Sequence, residues 1–158
     1  MKNTIVFDLD DTLISSRYNL CHPQAKEILT RSNNDFKNIY LWTHHFKEKA
    51  IKDLNKYNLF QYFNGIIYMD INVDKETNES NGIFMLTKYN NGNGESYKSL
   101  ELTHQKNLTQ LGDPKKYILI ENRTSMGYPL ERVIEIDPLT QNYTPCLNKA
   151  YEKALKKF

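Results

Sequence analysis

Five short apolar runs recur along this chain, and helical periodicity fills much of the sequence between and after them. Few folds accommodate that alternation. The runs are "TIVF" at 4–7, "NIYLW" at 38–42, "GIIYM" at 65–69, "YILI" at 117–120 and "RVIEI" at 132–136. Mostly β-branched and aromatic, they read as strands buried on both faces. After the first run, "HPQAKEILTRS" puts Pro23 in a first helical turn, with Ala25, Ile28 and Leu29 on one side. Segment 46–59 spaces Phe46, Ala50, Leu54 and Tyr57 at helical intervals, and Glu48 and Lys52 make a favourable i,i+4 pair. Leu147, Ala150, Tyr151, Ala154, Leu155 and Phe158 predict a closing amphipathic helix. Strands alternating with helices imply parallel pairing and right-handed crossovers. The expectation is a three-layer, Rossmann-like α/β fold with a mainly parallel central sheet, and one domain over all 158 residues.

One stretch breaks the rhythm. Residues 72–99 are rich in Asn, Gly, Glu, Lys and Ser, and only "IFML" at 83–86 is apolar. Such a composition predicts a polar surface insertion around one short strand or hairpin, or a flap beside a site. The rest of the composition mainly excludes. A net charge of +2 demands no large basic patch for nucleic acid. Cys21 and Cys146 stand far apart with no metal or redox spacing, as reduced thiols of a cytoplasmic protein would. No apolar run approaches the ~20 residues of a membrane span, and the expectation is a chain without a signal peptide.

The first apolar run ends abruptly in carboxylates: "IVFDLDDTL" carries Asp8, Asp10 and Asp11. Unpaired carboxylates so close together repel and lose hydration, so the arrangement calls for a cation. Hard oxygen donors select Mg²⁺, which keeps several waters and takes one or two carboxylates. Asp8 would then be both metal ligand and nucleophile, attacking phosphorus to give an aspartyl-phosphate. Asp10, two residues on, points to the same side of an extended chain and suits a general acid and base. In α/β sheets ligands gather at the carboxyl ends of strands, where Asp8, Thr43 and Glu121 all fall.

These residues carry a family likeness. "FDLDDTL" resembles the first motif of the haloacid dehalogenase superfamily of phosphohydrolases, in which D-x-D-x-[TV] ends the first strand. "YLWTHH" supplies Thr43 in the place of the second motif, a Ser or Thr whose hydroxyl donates to the phosphoryl group; it would also serve as a helix N-cap. "KNLTQLG" at 106–112 is similar to a stretch of the uncapped C-terminal-domain protein phosphatases of that superfamily. The likeness nominates Lys106 as the lysine that neutralises phosphate and nucleophile, ahead of Lys115 and Lys116. "YILIENR" resembles the fourth, acidic motif, so Glu121 and Asn122 stand where those phosphatases have Asp-Asn. Glutamate is one methylene longer, so a metal there must shift or be held through water.

The resemblance implies a Mg²⁺ site formed by Asp8, Asp10, Glu121 and Asn122, with Leu9, His44, Arg17 and Arg123 as substrate contacts. Tyr18 follows Arg17 where the family has a flap. His44 and His45 lack the spacing of zinc ligands and read as polar helix-start residues lining the site. Room for only a flap and one helix between Asp8 and Thr43, and a short insertion later, leaves no full cap domain. An uncapped site admits phosphate carried on large molecules, which implies a phosphorylated protein or peptide as partner. The alternatives are a nucleic-acid 3′-end phosphatase and a catalytically weakened phosphopeptide-binding module.

Overall fold

A computed structural model describes residues 1–70, 82–88, 95–100 and 105–158. In chain order the elements are β1 (Lys2–Asp8), β2 (Ile14–Ser15), β3 (Leu20–Cys21), α1 (Ala25–Asp35), β4 (Phe36–Phe46), α2 (Lys47–Lys56), β5 (Gly65–Asp70), β6 (Gly82–Lys88), β7 (Glu95–Leu100), β8 (Lys106–Asn107), β9 (Tyr117–Glu121), β10 (Gly127–Tyr128), β11 (Val133–Glu135) and α3 (Leu147–Leu155). Seven strands form one sheet in the order β11-β9-β1-β4-β5-β6-β7. The first five are parallel, and β6 and β7 continue the sheet antiparallel.

The apolar runs end up where their composition demands. β1 lies between β4 and β9, with Val6 level with both Tyr40 and Leu119. Its residues Ile5, Val6 and Phe7 are fully buried, which only a strand covered on both faces achieves. Strand alternation then divides the core in two. Ile5, Phe7, Leu41, Ile66, Ile118 and Ile120 lie in one cluster with the buried apolar residues of all three helices. Val6, Trp42, Ile67, Leu119 and Val133 form the other, covered by Leu108, Leu111 and Tyr117.

The α/β fold with a mainly parallel central sheet is as expected, and its two faces are covered differently. Among the described residues, the second face is layered by short 3-10 turns (Leu108–Gln110, Pro114–Lys116, Thr124–Met126 and Leu130–Arg132) and the β8–β10 pair. Glycine and proline explain the lack of long helix in it. Gly112 has φ of +139°, Pro114 opens its own turn, and Pro129 caps Leu130–Arg132. Gly127 is needed for space, because a Cβ there would meet Val133 Cγ2 at 2.6 Å.

Element ends differ as well. α1 starts three residues later than "HPQ" suggests, after His22 spans to the other end of the chain: its Nδ1 accepts from Gln24 N at 3.0 Å and its Nε2 lies 2.6 Å from Pro145 O. β4 runs on through Thr43, His44 and His45, so the histidines are strand residues and Thr43 caps no helix. Phe46, expected on the apolar face of α2, ends that strand and is exposed. The i,i+4 ion pair on α2 joins Lys49 to Asp53 at 2.8 Å, where Glu48–Lys52 was expected. The fifth strand begins at Val133 because Leu130–Arg132 forms a turn. The "IFML" segment is a sheet strand, β6, paired with β7 as a hairpin; 71–81, 89–94 and 101–104 of the polar stretch and its flank lie outside the described residues. Among those described, no helix is long and apolar enough to cross a membrane. Cys21 and Cys146 are both free thiols.

Candidate active site

Strand order places the site. From β1 the chain proceeds to β4 and β5 on one side, while β9 and β11 lie on the other. The direction therefore reverses between β1 and β9, and a crevice opens at the carboxyl ends of those two strands. Asp8 ends β1 and Glu121 ends β9. Asp8 has the parity of Val6, and Glu121 that of Leu119, so both belong to the turn-covered face.

That face supplies the cation. Lys106 opens β8 and is 2% exposed, with Nζ 2.6 Å from Asp8 Oδ1 and 2.5 Å from Glu121 Oε2. Burial alone would lower the lysine pKa, but the two carboxylates raise it overall, so it stays charged. Glu121 fares differently. Burial, then the charge of Asp8, push its carboxyl up from an ordinary 4.5 to about 7, against the pull of Lys106. Two buried carboxylates facing one ammonium leave the trio short of positive charge.

Asp8 is held from its other oxygen too. Thr12 Oγ1 donates to Oδ2 at 2.8 Å, from the turn in which the Leu9 carbonyl accepts from the amides of Thr12, Leu13 and Ile14. Asp11 makes that turn at φ of +63°, a left-handed conformation aspartate tolerates. Burial, followed by the charges of Asp10 and Asp8, raises its pKa. Asp10 Oδ1 accepts from Ser16 N at 2.8 Å, and its Oδ2 lies 3.6 Å from His45 Nε2. Burial would raise the Asp10 pKa, yet His45 and Ser16 outweigh it and bring it to about 2.

The Asn122 amide tests whether a metal fits. One of its two terminal atoms faces Asp8 Oδ2 at 2.6 Å and Glu121 Oε1 at 2.9 Å. With no cation that atom is the nitrogen, donating to both. Turned by half a rotation, the amide presents its oxygen at the same place. That oxygen would then stand beside Asp8 Oδ2 and Glu121 Oε1, an all-oxygen set of the kind a hard cation takes. Among the described residues no group of three or more His, Cys, Asp or Glu forms a metal cage. Two carboxylates and an amide are instead the sparse set that Mg²⁺ takes with water. The residues fit the ion.

Asp8, Asp10, Thr43, His44, Lys106, Glu121, Asn122 and Arg123 all line one cleft of about 180 Å³. That volume is below the ~300 Å³ at which pockets begin to engulf small organic ligands, so it suits a phosphoryl-sized group. Two expected contacts are not brought in. The Leu9 side chain is fully buried in the helix-side core. Arg17 is exposed in the loop between β2 and β3, stacked at 5.3 Å over Tyr18. His45 lines the cleft as expected; Asp11 and Met126 also line it and were not singled out as functional residues, and Thr12 and Ser16 hold its carboxylates. Thr12 carried a readable signal, a hydroxyl four residues after Asp8 in the first motif. Met126 and Ser16 carried none.

Fold and site together define an α/β protein with a lysine-bridged carboxylate pair at its topological switch point. The chain belongs to the family described as Protein of unknown function (DUF705), whose model matches residues 1–121, from the first strand through Glu121. Among curated proteins no match is found.

Proposed function

We propose that this chain is a Mg²⁺-dependent phosphomonoester hydrolase of the haloacid dehalogenase type, acting through an aspartyl-phosphate on Asp8, with phosphorylated proteins or peptides as substrates. The observation that carries the reading is Asp8 itself: a strand-end carboxylate, bridged to Glu121 by buried Lys106, on the floor of a phosphate-sized cleft. The small cleft and the two-residue strands of the β2–β3 hairpin beside it favour a phosphate presented on a large molecule.

Asp8, Glu121, Asn122 and the backbone carbonyl of Asp10 would hold the ion, Glu121 through the oxygen that Lys106 does not engage. The ion would supply positive charge against the substrate phosphate. In the first half-reaction an Asp8 oxygen bonds to phosphorus and the bond to the leaving oxygen breaks, while Asp10 delivers a proton to that oxygen. In the second, Asp10 takes a proton from water as the water attacks phosphorus and releases Asp8. Asp10 is ionised in the free protein at neutral pH. A bound phosphate dianion adds negative charge beside it, which raises its affinity for the proton it must carry. Lys106 neutralises Asp8 and the incoming phosphate. Thr43 Oγ1 accepts from His45 N at 3.1 Å, leaving its hydroxyl proton free to donate to phosphoryl oxygen.

The test is turnover of a phosphopeptide array and an aryl phosphate with Mg²⁺, beside Asp8→Asn. The amide is nearly isosteric but a poor nucleophile, so turnover should vanish while the thermal transition is retained. Near-normal hydrolysis by the folded variant would exclude the covalent route.

A further inference from the structure

We infer that His45 is the positioning residue for Asp10, clamping its carboxylate from one side while the β2–β3 hairpin clamps it from the other. An aspartate two residues beyond a strand end sits on a turn, and its side chain has rotamer freedom that transfer of a proton cannot tolerate. Two separate elements restrict it here. Ser16 N just after β2 donates to Oδ1 at 2.8 Å, and His45 Nε2 from the end of β4 faces Oδ2 at 3.6 Å. The second separation is longer than a hydrogen bond, and such contacts shorten when substrate completes a site.

Both clamps are themselves anchored. His45 N donates to Thr43 Oγ1, so one residue orients the hydroxyl through its backbone and Asp10 through its ring. The hairpin is tied to α2: Lys49 Nζ lies 3.3 Å from Ser16 Oγ and 2.8 Å from Asp53 Oδ2, and Ser16 Oγ lies 3.4 Å from Asp53 Oδ2. Lys56 Nζ and Tyr57 OH both donate to Asn19 Oδ1 at the far end of the same loop. The low pKa of Asp10 agrees with Ser16 and His45 standing beside it. A surface histidine at a strand end, the ordinary alternative, has no reason to meet the functional carboxylate and the motif threonine together.

The kinetic part of the test rests on the phosphatase reading, and the structural part does not. In His45→Ala, three-bond couplings across the Asp10 Cα–Cβ bond should change from those of one rotamer to an average. His45→Gln, which keeps a donor, should restore the single rotamer. With an alkyl phosphomonoester, which needs a proton on its leaving oxygen, kcat should fall about tenfold or more in His45→Ala with KM little changed. With a nitrophenyl phosphate kcat should fall far less, and in an Asp10→Asn background the substitution should add nothing. A single Asp10 rotamer retained in His45→Ala, or equal losses on both esters, would overturn the inference. A wild-type protein that hydrolyses neither ester would refute the proposed function, and the couplings would still decide whether His45 holds Asp10.

Discussion

The two faces of the central sheet have the same strands beneath them and different work above them. On one, α1, α2 and α3 bury Ile28, Leu29, Leu54, Ala150 and Tyr151 against Ile5, Phe7 and Leu41. On the other, turns and two-residue strands lie over Val6, Trp42 and Leu119, and from that cover come Lys106 and Met126. The helical side is regular and apolar, and it fixes the strands. The turn side is irregular because it must deliver single polar groups to the end of β1, which a helix face with its 3.6-residue period does less freely. Asp8 and Glu121 point to the side where the lysine arrives.

If the faces divide the labour in this way, damage to each should separate. Lys106→Met should have the largest effect. Turnover should fall about 10³-fold, as when a preorganised charge is removed from a site. The unpaired carboxylates should also cost about 3 kcal/mol of stability in urea titration. Full turnover in that variant would empty the turn face of its chemical role. Leu54→Ala on the helical face should cost about 3 kcal/mol through the lost burial and the cavity left behind. Its kcat at a temperature where the variant stays folded should be unchanged. A kcat loss matching that of Lys106→Met would show that the faces are not independent.

The smallest effect sharpens the comparison through pH. Glu121 binds its proton more tightly folded than unfolded, because its pKa rises from 4.5 to about 7. The contribution therefore favours the folded state at low pH, fades as pH rises from about 4.5 to about 7, and stays lost above that. Glu121→Gln cannot titrate, so it should remove this slope and gain on the order of 2 kcal/mol relative to wild type at pH 8. Saturating Mg²⁺ should flatten the wild-type slope as well, since a cation favours the ionised carboxylate. Thermal melts across pH with and without Mg²⁺ measure both. A slope in the Gln variant equal to the wild-type slope would place the titration elsewhere.

Much of the helical face was legible in the sequence, because burial there repeats with the period of the element that causes it. Ala25, Ile28 and Leu29 announced α1, and the spacing of Leu147 to Ala154 announced α3. The turn face was not, since its three-residue turns have no period to read. Phe46 misled for a related reason. Its spacing matched α2, but pairing with Met69 on β5 kept it in the strand, and β4 carried Thr43 to His45 along with it.

By itself the sequence determined that parallel strands would alternate with helices and that Asp8 would stand at a strand end among carboxylates. Both follow from local composition and from the two-residue and 3.6-residue periods. Tertiary structure alone decided what those carboxylates meet. Lys106 reaches Asp8 across 98 positions of chain, the Glu121 carboxylate turns one oxygen to that lysine, and the His45 ring approaches Asp10 from a neighbouring strand end. Those meetings depend on strand order and on the hand of the crossovers, which are settled when the whole sheet closes over its core and leave no mark within any short window of sequence.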